Sequence, residues 1–103
     1  MSGDEEEVTR VLAALLSDYK SAAAEIPTRQ LRLKTGLAGQ RLLNALKKIR
    51  GVTDVHGRVW LVLGLVNTRG DRPTRVVLAR ADKPEAVALL REHYGSRLRL
   101  LHE

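Results

Sequence analysis

The sequence predicts an α+β domain in which three helices and a β-hairpin are followed by a strand, a helix and a last strand. Three observations predict it. Apolar residues recur at helical spacing through the first half of the chain, an unbroken apolar run occupies residues 59–66, and Gly or Pro stands near most changes of pattern. The chain has 103 residues, of which 44% are hydrophobic, so we expect a single domain with a modest core.

The first helix is predicted over residues 4–24. Acidic side chains fill its first turn, where they suit the positive end of the helix dipole. The apolar positions that follow have helical spacing and are Val8, Leu12, Leu15, Tyr19 and Ala22. Pro27 biases Ile26 toward an extended backbone, so the helix is expected to end before that residue.

Two shorter helices are predicted next. Thr28 can cap a helix over residues 29–34, and Gly36 is a natural stop. The third helix, over residues 38–50, has two different sides. Its apolar arc consists of Ala38, Leu42, Ala45, Leu46 and Ile49. The opposite arc consists of Gln40, Arg41, Asn44, Lys47 and Lys48. We therefore expect one side of this helix to pack and the other to present hydrogen-bonding groups.

The second half of the chain has the pattern of strands. Residues 52–55 and 58–66 are predicted to pair as a hairpin around a two-residue turn, His56-Gly57. Trp60, in the apolar strand, is expected in the core. The remaining predicted elements are a polar loop over 67–73, a strand over 75–79, a helix opened by Asp82 and Pro84 and ending at Tyr94, and an edge strand over 97–101.

Charge is distributed unevenly along the chain, which has a net charge of +6. Residues 1–27 carry six acids and two bases, residues 28–80 carry twelve bases and two acids, and residues 81–103 carry four of each. A basic middle segment predicts one positively charged face, which suits a polyanion. An Arg-rich composition that reflects a GC-rich genome or a hot habitat is an alternative explanation of the same bias.

The stretch IPTRQLRLKTGLAGQRLLNALKKIRGV, followed by a hairpin, resembles the winged helix-turn-helix family, which includes small bacterial and archaeal repressors. The resemblance covers about residues 5–66, and the strand-helix-strand extension over 67–103 lies outside it. The matching residues are Ile26, Pro27 and Thr28 at the entry, Leu31 in the second helix, Thr35, Gly36 and Leu37 at the turn, Leu42, Leu46 and Ile49 on the packed face, and Gly51 and Val52 before the wing. The resemblance implies a winged helix-turn-helix core in which residues 38–50 form the recognition helix and the 52–66 hairpin forms the wing.

The resemblance also implies sequence-specific binding to double-stranded DNA, as in a transcriptional regulator. A recognition helix enters the major groove and offers hydrogen-bonding groups to base edges. We expect Arg41 to bond a guanine edge, and Asn44 or Gln40 to bond an adenine edge. Lys47 and Lys48, near the end of the helix, are expected to contact phosphates.

Three further basic residues are expected to support this contact. Arg29 and Lys34, on the second helix, can grip the DNA backbone beside the recognition helix. Arg58, beside the wing turn, can enter a minor groove or touch phosphate. Because one recognition helix covers few base pairs, we expect a homodimer that reads two half-sites. Two segments are alternatives for the dimer interface: the Ala-rich face of the first helix and the edge strand over 97–101.

A winged-helix adaptor in a larger transcription, replication or translation assembly, binding protein or RNA, is the alternative. No Ser/His/Asp grouping, glycine-rich phosphate loop or carboxylate cluster stands out, so an enzyme is not expected. The extension over 67–103 can form a pocket for a small-molecule effector, but the sequence does not indicate a ligand.

The composition of the chain limits which cofactors, membrane contacts and cellular location we expect. The chain has no Cys, and its His residues have no matching ligand cluster, so no metal or other cofactor is expected. The longest apolar run is too short to span a bilayer, and the acidic N-terminus is the reverse of a signal peptide. We therefore expect a cytoplasmic protein with no membrane partner.

Overall fold

The computed structural model describes residues 3–67 and 74–101 of the chain. Its elements in order are helix α1 (Gly3–Leu16), strand β1 (Ala23–Pro27), helices α2 (Thr28–Thr35) and α3 (Gly39–Lys48), strands β2 (Gly51–Thr53), β3 (Val59–Asn67) and β4 (Thr74–Arg80), helix α4 (Pro84–Tyr94), a 3-10 turn (Gly95–Arg97) and strand β5 (Leu98–Arg99). The predicted α+β class is confirmed within these residues. The polar loop predicted over 67–73 lies outside them, apart from Asn67.

All five strands of the described chain belong to one antiparallel sheet. The order across the sheet is β1-β4-β3-β2. Strand β5 pairs with β3 on the edge that β2 also uses, beyond the end of β2. Because β4 lies between β1 and β3, the strand predicted after the hairpin is a central strand of the sheet. Its unbroken apolar sequence fits a strand that is covered on both faces.

The two faces of the sheet carry two separate apolar clusters. Helices α1, α2 and α3 cover the first face, where Trp60 and Leu78 meet Leu12, Leu31 and Leu46. Helix α4 covers the second face, where the cluster consists of Leu63, Val66, Val77, Ala79, Tyr94 and Leu98. Trp60 is fully buried, which confirms its predicted place in the core. The molecule thus has three layers, with α3 and α4 on opposite sides of the sheet.

The first helix is shorter than predicted, because α1 ends at Leu16 and residues 23–27 form β1. The prediction of a helix over 4–24 is therefore wrong in its last third. Strand β1 pairs along its full length with β4 and buries Ala24 and Ile26. Alanine favours a helix in isolation, but the hydrogen-bond ladder with β4 and the burial of these side chains outweigh that local preference.

The hairpin connection also differs from the prediction. Its loop has three residues, 55–57, and is closed by a hydrogen bond from the Asp54 N–H to the Arg58 carbonyl oxygen at 2.9 Å. The Asp54 carboxylate accepts the N–H groups of His56 and Arg58, at 2.9 and 3.0 Å, and so fixes the loop from inside. Gly57, at φ 82°, supplies the left-handed residue that such a loop needs.

Strand β5 reaches β3 only because Gly64 has no side chain. A Cβ atom at Gly64 would lie 2.4 Å from the carbonyl oxygen of Arg99. The register between β3 and β4 also shifts between Val62 and Gly64, as at a β-bulge. This close approach places Arg99 opposite Leu65 and Leu98 opposite Val66.

None of the helices in the described part of the chain is long and apolar enough to cross a membrane.

Candidate functional site

Helix α3 separates its apolar and polar residues onto two sides, as predicted. Leu42, Ala45 and Leu46 are buried in the apolar cluster on the first face of the sheet. The polar arc is exposed along the whole helix and consists of Gln40, Arg41, Asn44, Lys47 and Lys48. We call these five residues the α3 polar arc. Its side chains are therefore available to a partner outside the molecule.

Two amides of the α3 polar arc are bonded to each other. The Gln40 side-chain N–H donates to Asn44 Oδ1 at 2.9 Å, one helical turn away. This bond fixes the positions of both side chains and leaves the Asn44 NH2 group and the Gln40 oxygen free for a further partner. The bonded pair thus offers one further donor and one further acceptor within the first two turns of the helix.

Arg41 is held by an acid from another helix. Its Nε and Nη2 atoms donate to the two carboxylate oxygens of Asp4, in the first turn of α1, at 3.0 and 2.8 Å. The Arg41 side chain is nevertheless 70% exposed. The hydrogen bond between the two side chains lowers the pKa of Asp4 and raises the pKa of Arg41. Both groups are therefore charged at neutral pH, and the pair lies at the surface.

Helix α3, which carries the arc, and the neighbouring helix α2 contain no negatively charged residue. Both helices end in a basic turn. The acid that contacts the arc is Asp4, from the first turn of α1, where Glu5 and Glu6 follow it in the sequence. The candidate surface is therefore basic, with an acidic border on one side.

The two residues predicted on α2 are both exposed, but they have different neighbours. Lys34 borders a surface depression that Arg10 and Asp18 also line, so it lies on the side of α1. Arg29 makes no hydrogen bond or ion pair with a described residue. Arg32, which the sequence did not single out, lines a cavity with Leu42 and Leu46 of α3.

Arg58 is not available as predicted, because its guanidinium group is used inside the molecule. Nε donates to Asp54 Oδ2 at 2.6 Å, and the two terminal nitrogens donate to three carbonyl oxygens at or just beyond the end of α1. Its side chain is only 21% exposed. Arg58 therefore caps the C-terminus of α1 and ties the hairpin to it, and we remove it from the candidate surface.

Sequence reasoning missed Arg99 as a neighbour of the α3 polar arc. Arg99 and Lys47 line one shallow depression, together with Leu100 and Leu101. The alternation of charged and apolar residues over 97–101 predicted an edge strand and was a usable signal. What it did not indicate was the pairing partner, β3, which brings this strand beside α3.

No family model matches this sequence, and comparison with curated proteins and with solved structures finds no similar protein. Within the two described ranges, no group of three or more His, Cys, Asp or Glu residues is placed to hold a metal ion. The case for a function therefore depends on the geometry and charge of the surface itself.

Proposed function

We propose that this protein is a sequence-specific double-stranded DNA-binding protein of the winged helix-turn-helix type, and that it acts as a transcriptional regulator. The observation that carries the proposal is the α3 polar arc, which is exposed along the full length of an amphipathic helix whose other side is buried. A helix that exposes such an arc fits the major groove, where base edges present distinct patterns of donors and acceptors.

The order of elements supports the same proposal. Helices α2 and α3 follow one another with only residues 36–38 between them, and the β2–β3 hairpin comes directly after α3. This is the sequence of elements that a recognition helix and a wing require. Strand β4 is an addition inside the sheet, and α4 is an addition on the sheet face opposite α3.

The chemistry of the arc assigns a role to each of its residues. The Arg41 fork suits the O6 and N7 acceptors of guanine, and the paired amides of Asn44 and Gln40 suit the N6 and N7 atoms of adenine. Lys47 and Lys48, in the last turn of α3, are assigned to phosphates. Base edges are thus read from the first two turns of the helix, and the last turn positions it on the duplex.

Residues outside α3 supply the remaining contacts. Arg29 and Lys34, exposed on α2, are assigned to the DNA backbone. The hairpin loop presents Val55 and His56 to solvent. It is held in place because the Val55 N–H donates to Ser17 Oγ at 3.2 Å and Arg58 binds the end of α1. A loop fixed in this way can contact a DNA groove without a further loss of conformational entropy.

A binding selection on duplex fragments of random sequence, run at two salt concentrations, tests this proposal. We expect enrichment of one motif with inverted half-sites, because a homodimer reads two of them. If about six phosphates are neutralised, the logarithm of the affinity should fall with the logarithm of the salt concentration with a slope near −5. Arg91→Ala, an exposed residue of α4 on the opposite layer, is the matched control and should bind as the parent does.

The other outcomes of the selection contradict the proposal in different ways. Salt-sensitive binding without a motif would indicate an architectural protein rather than a regulator. Absence of binding at low salt would exclude double-stranded DNA and favour an adaptor that binds protein or RNA. Enrichment that survives replacement of both Arg41 and Asn44 by Ala would show that a different surface reads the sequence.

A further inference from the structure

A cavity of about 230 Å³ lies between α2, α3 and the end of the sheet that β5 completes. Its apolar wall is formed by Leu42 and Leu46 of α3 and by Leu65 of β3, all of which are buried. Its volume is below the range typical of sites for drug-sized ligands. The space therefore suits a small molecule with a compact apolar body.

The polar wall of this cavity consists of three arginines and the uncharged residues Thr28, Asn67 and Thr74. Arg32 from α2, Arg97 from the 3-10 turn and Arg99 from β5 all line it, and no described residue that lines it is acidic. Arg97 is partly engaged, since Nη2 donates to the His93 carbonyl oxygen at 3.1 Å. Arg32 and Arg99 make no hydrogen bond or ion pair with any residue in the described ranges. Two guanidinium groups that have no partner in the described part of the chain thus border one space.

The register of the sheet explains why Arg99 faces this cavity. Paired residues of an antiparallel ladder point to the same face, and Arg99 is paired with Leu65. Leu65 belongs to the cluster under α1, α2 and α3, whereas Leu98 points to the cluster under α4. An arginine on the inner face of an edge strand has a simpler explanation, since an inward-pointing charge discourages pairing with other chains. That role does not account for Arg32, which comes from a helix and borders the same space.

We propose that this cavity binds a small organic anion, a carboxylate attached to a compact apolar group. The carboxylate would be held by the guanidinium groups of Arg32 and Arg99, since a planar fork matches a carboxylate. The apolar group would contact Leu42, Leu46 and Leu65. The first residue of α3, Gly39, also lines the cavity, and the N-terminus of this helix has no side-chain cap, so the helix dipole adds to the positive potential.

Titration of the full chain with benzoate, followed by amide chemical shifts in NMR spectra, tests this inference. We expect saturable shifts at residues that line the cavity, with a dissociation constant of about 1 mM. Benzamide, a neutral molecule of nearly the same shape, should bind at least about tenfold more weakly. Inorganic phosphate at equal ionic strength should also bind more weakly, because it has no apolar group.

Variants locate the site. Arg99→Gln and Arg32→Gln should each weaken benzoate about tenfold while the spectrum keeps the dispersion of the folded parent. Arg91→Gln, an exposed arginine of α4 that does not line this cavity, should leave the affinity unchanged. The inference is overturned if benzoate causes no saturable shift at the cavity, if benzamide or phosphate binds as tightly, or if Arg91→Gln weakens binding as much as Arg99→Gln. None of these outcomes depends on DNA, so the inference and the proposed function can fail separately.

Discussion

Asp4 and Arg41 form a two-point contact across the candidate DNA-binding surface. Two of the nitrogens that Arg41 can offer to a guanine, Nε and Nη2, donate instead to the two oxygens of the Asp4 carboxylate. The carboxylate thus presents the same pair of acceptors as the guanine edge. A guanine that takes both of these nitrogens displaces Asp4 from Arg41, and the acidic first turn of α1 must then tolerate the approach of phosphates.

Asp4→Asn should therefore tighten DNA binding. The substitution frees Arg41 and removes one negative charge from the border of the surface, while the neutral amide keeps the size of the side chain. We expect an increase in affinity of about threefold to tenfold at low salt, which becomes smaller as salt screens the charge. The measurement is a titration of a selected duplex at several salt concentrations.

Glu7→Gln is the matched control for Asp4→Asn, because Glu7 lies on the same helix and pairs with Arg10 rather than with the arc. It removes the same charge without releasing Arg41. Equal gains from the two variants would mean that only net charge matters. A loss of affinity in Asp4→Asn would mean that Asp4 positions Arg41 for binding.

The α3 polar arc should divide into residues that read bases and residues that hold phosphates. Asn44→Ala should reduce the preference for the selected motif over random DNA by about tenfold, because a bidentate base contact is lost. Lys48→Ala should weaken all duplexes alike and reduce the salt slope by about one. Competition titrations on both duplexes measure both effects, and identical behaviour of the two variants would contradict the assignment.

Asp54 should control the stability of the hairpin loop and its response to acid. Burial by itself would raise the pKa of Asp54, but hydrogen bonds from Trp60, Arg58 and His56 outweigh it and hold the pKa well below its usual range. Because the folded-state pKa is the lower one, this stabilisation is present above about pH 4 and is lost as the pH falls further. Asp54→Asn should lower the melting temperature by about 10 °C at neutral pH.

Urea denaturation of the parent and Asp54→Asn at about pH 7 and about pH 2.5 checks this prediction. The gap between their midpoints should narrow in acid, because the Asp54 carboxyl of the unfolded parent then binds a proton that the folded state does not bind, and this favours the unfolded parent but not the variant. Asp82→Asn is the control, since the Asp82 side chain, which pairs with Arg80, is 60% exposed. A gap that stays constant with pH would show that the loss in Asp54→Asn is one of packing alone.

The parts of this structure that the sequence predicts are those governed by local pattern. The two sides of α3 follow from the spacing of Leu42, Ala45 and Leu46, and β3 follows from its apolar run. Helix α4 has Pro84 in its first turn and ends at Tyr94, as its sequence predicts, but its N-cap position is Lys83, and Asp82 pairs with Arg80 instead of capping it. In each of these segments, the local preference and the final packing agree.

What the sequence does not predict depends on partners far along the chain. β1 exists because β4, about fifty residues later, pairs with it. Arg58 has the pattern of an exposed wing residue, yet its partners at the end of α1 are about forty residues earlier. The contact of Asp4 with Arg41 likewise joins two helices that no local pattern connects.

Tyr94 should limit stability at high pH. Burial and a hydrogen bond from its hydroxyl to Glu25 Oε2 raise the pKa of Tyr94 from 10.0 to about 12. Because the folded-state pKa is the higher one, the stabilisation is complete below about pH 10 and is lost as the pH rises toward 12. Tyr94→Phe should lower the melting temperature by about 5 °C at neutral pH and should not show this alkaline loss.

Urea denaturation of the parent and Tyr94→Phe between about pH 8 and about pH 12 measures this difference. Tyr19→Phe is the control, because the Tyr19 hydroxyl donates to a backbone carbonyl oxygen, that of Glu25, and not to a carboxylate. Equal alkaline losses in the parent and in Tyr94→Phe would assign the effect to other groups.

Gly64→Ala should detach β5 from the sheet. The new methyl group would lie 2.4 Å from the Arg99 carbonyl oxygen, a backbone atom that cannot move aside without breaking the pairing of Leu65 with Arg99. We expect a loss of stability of about 1–3 kcal/mol and faster amide exchange at Leu98 and Arg99. Gly3→Ala, where an added methyl group meets nothing within 4 Å, is the control and should leave both quantities unchanged. If β5 stays protected from exchange in Gly64→Ala, the approach of the two strands is looser than the structure has it, and the placement of Arg99 at the cavity would have to be revised with it.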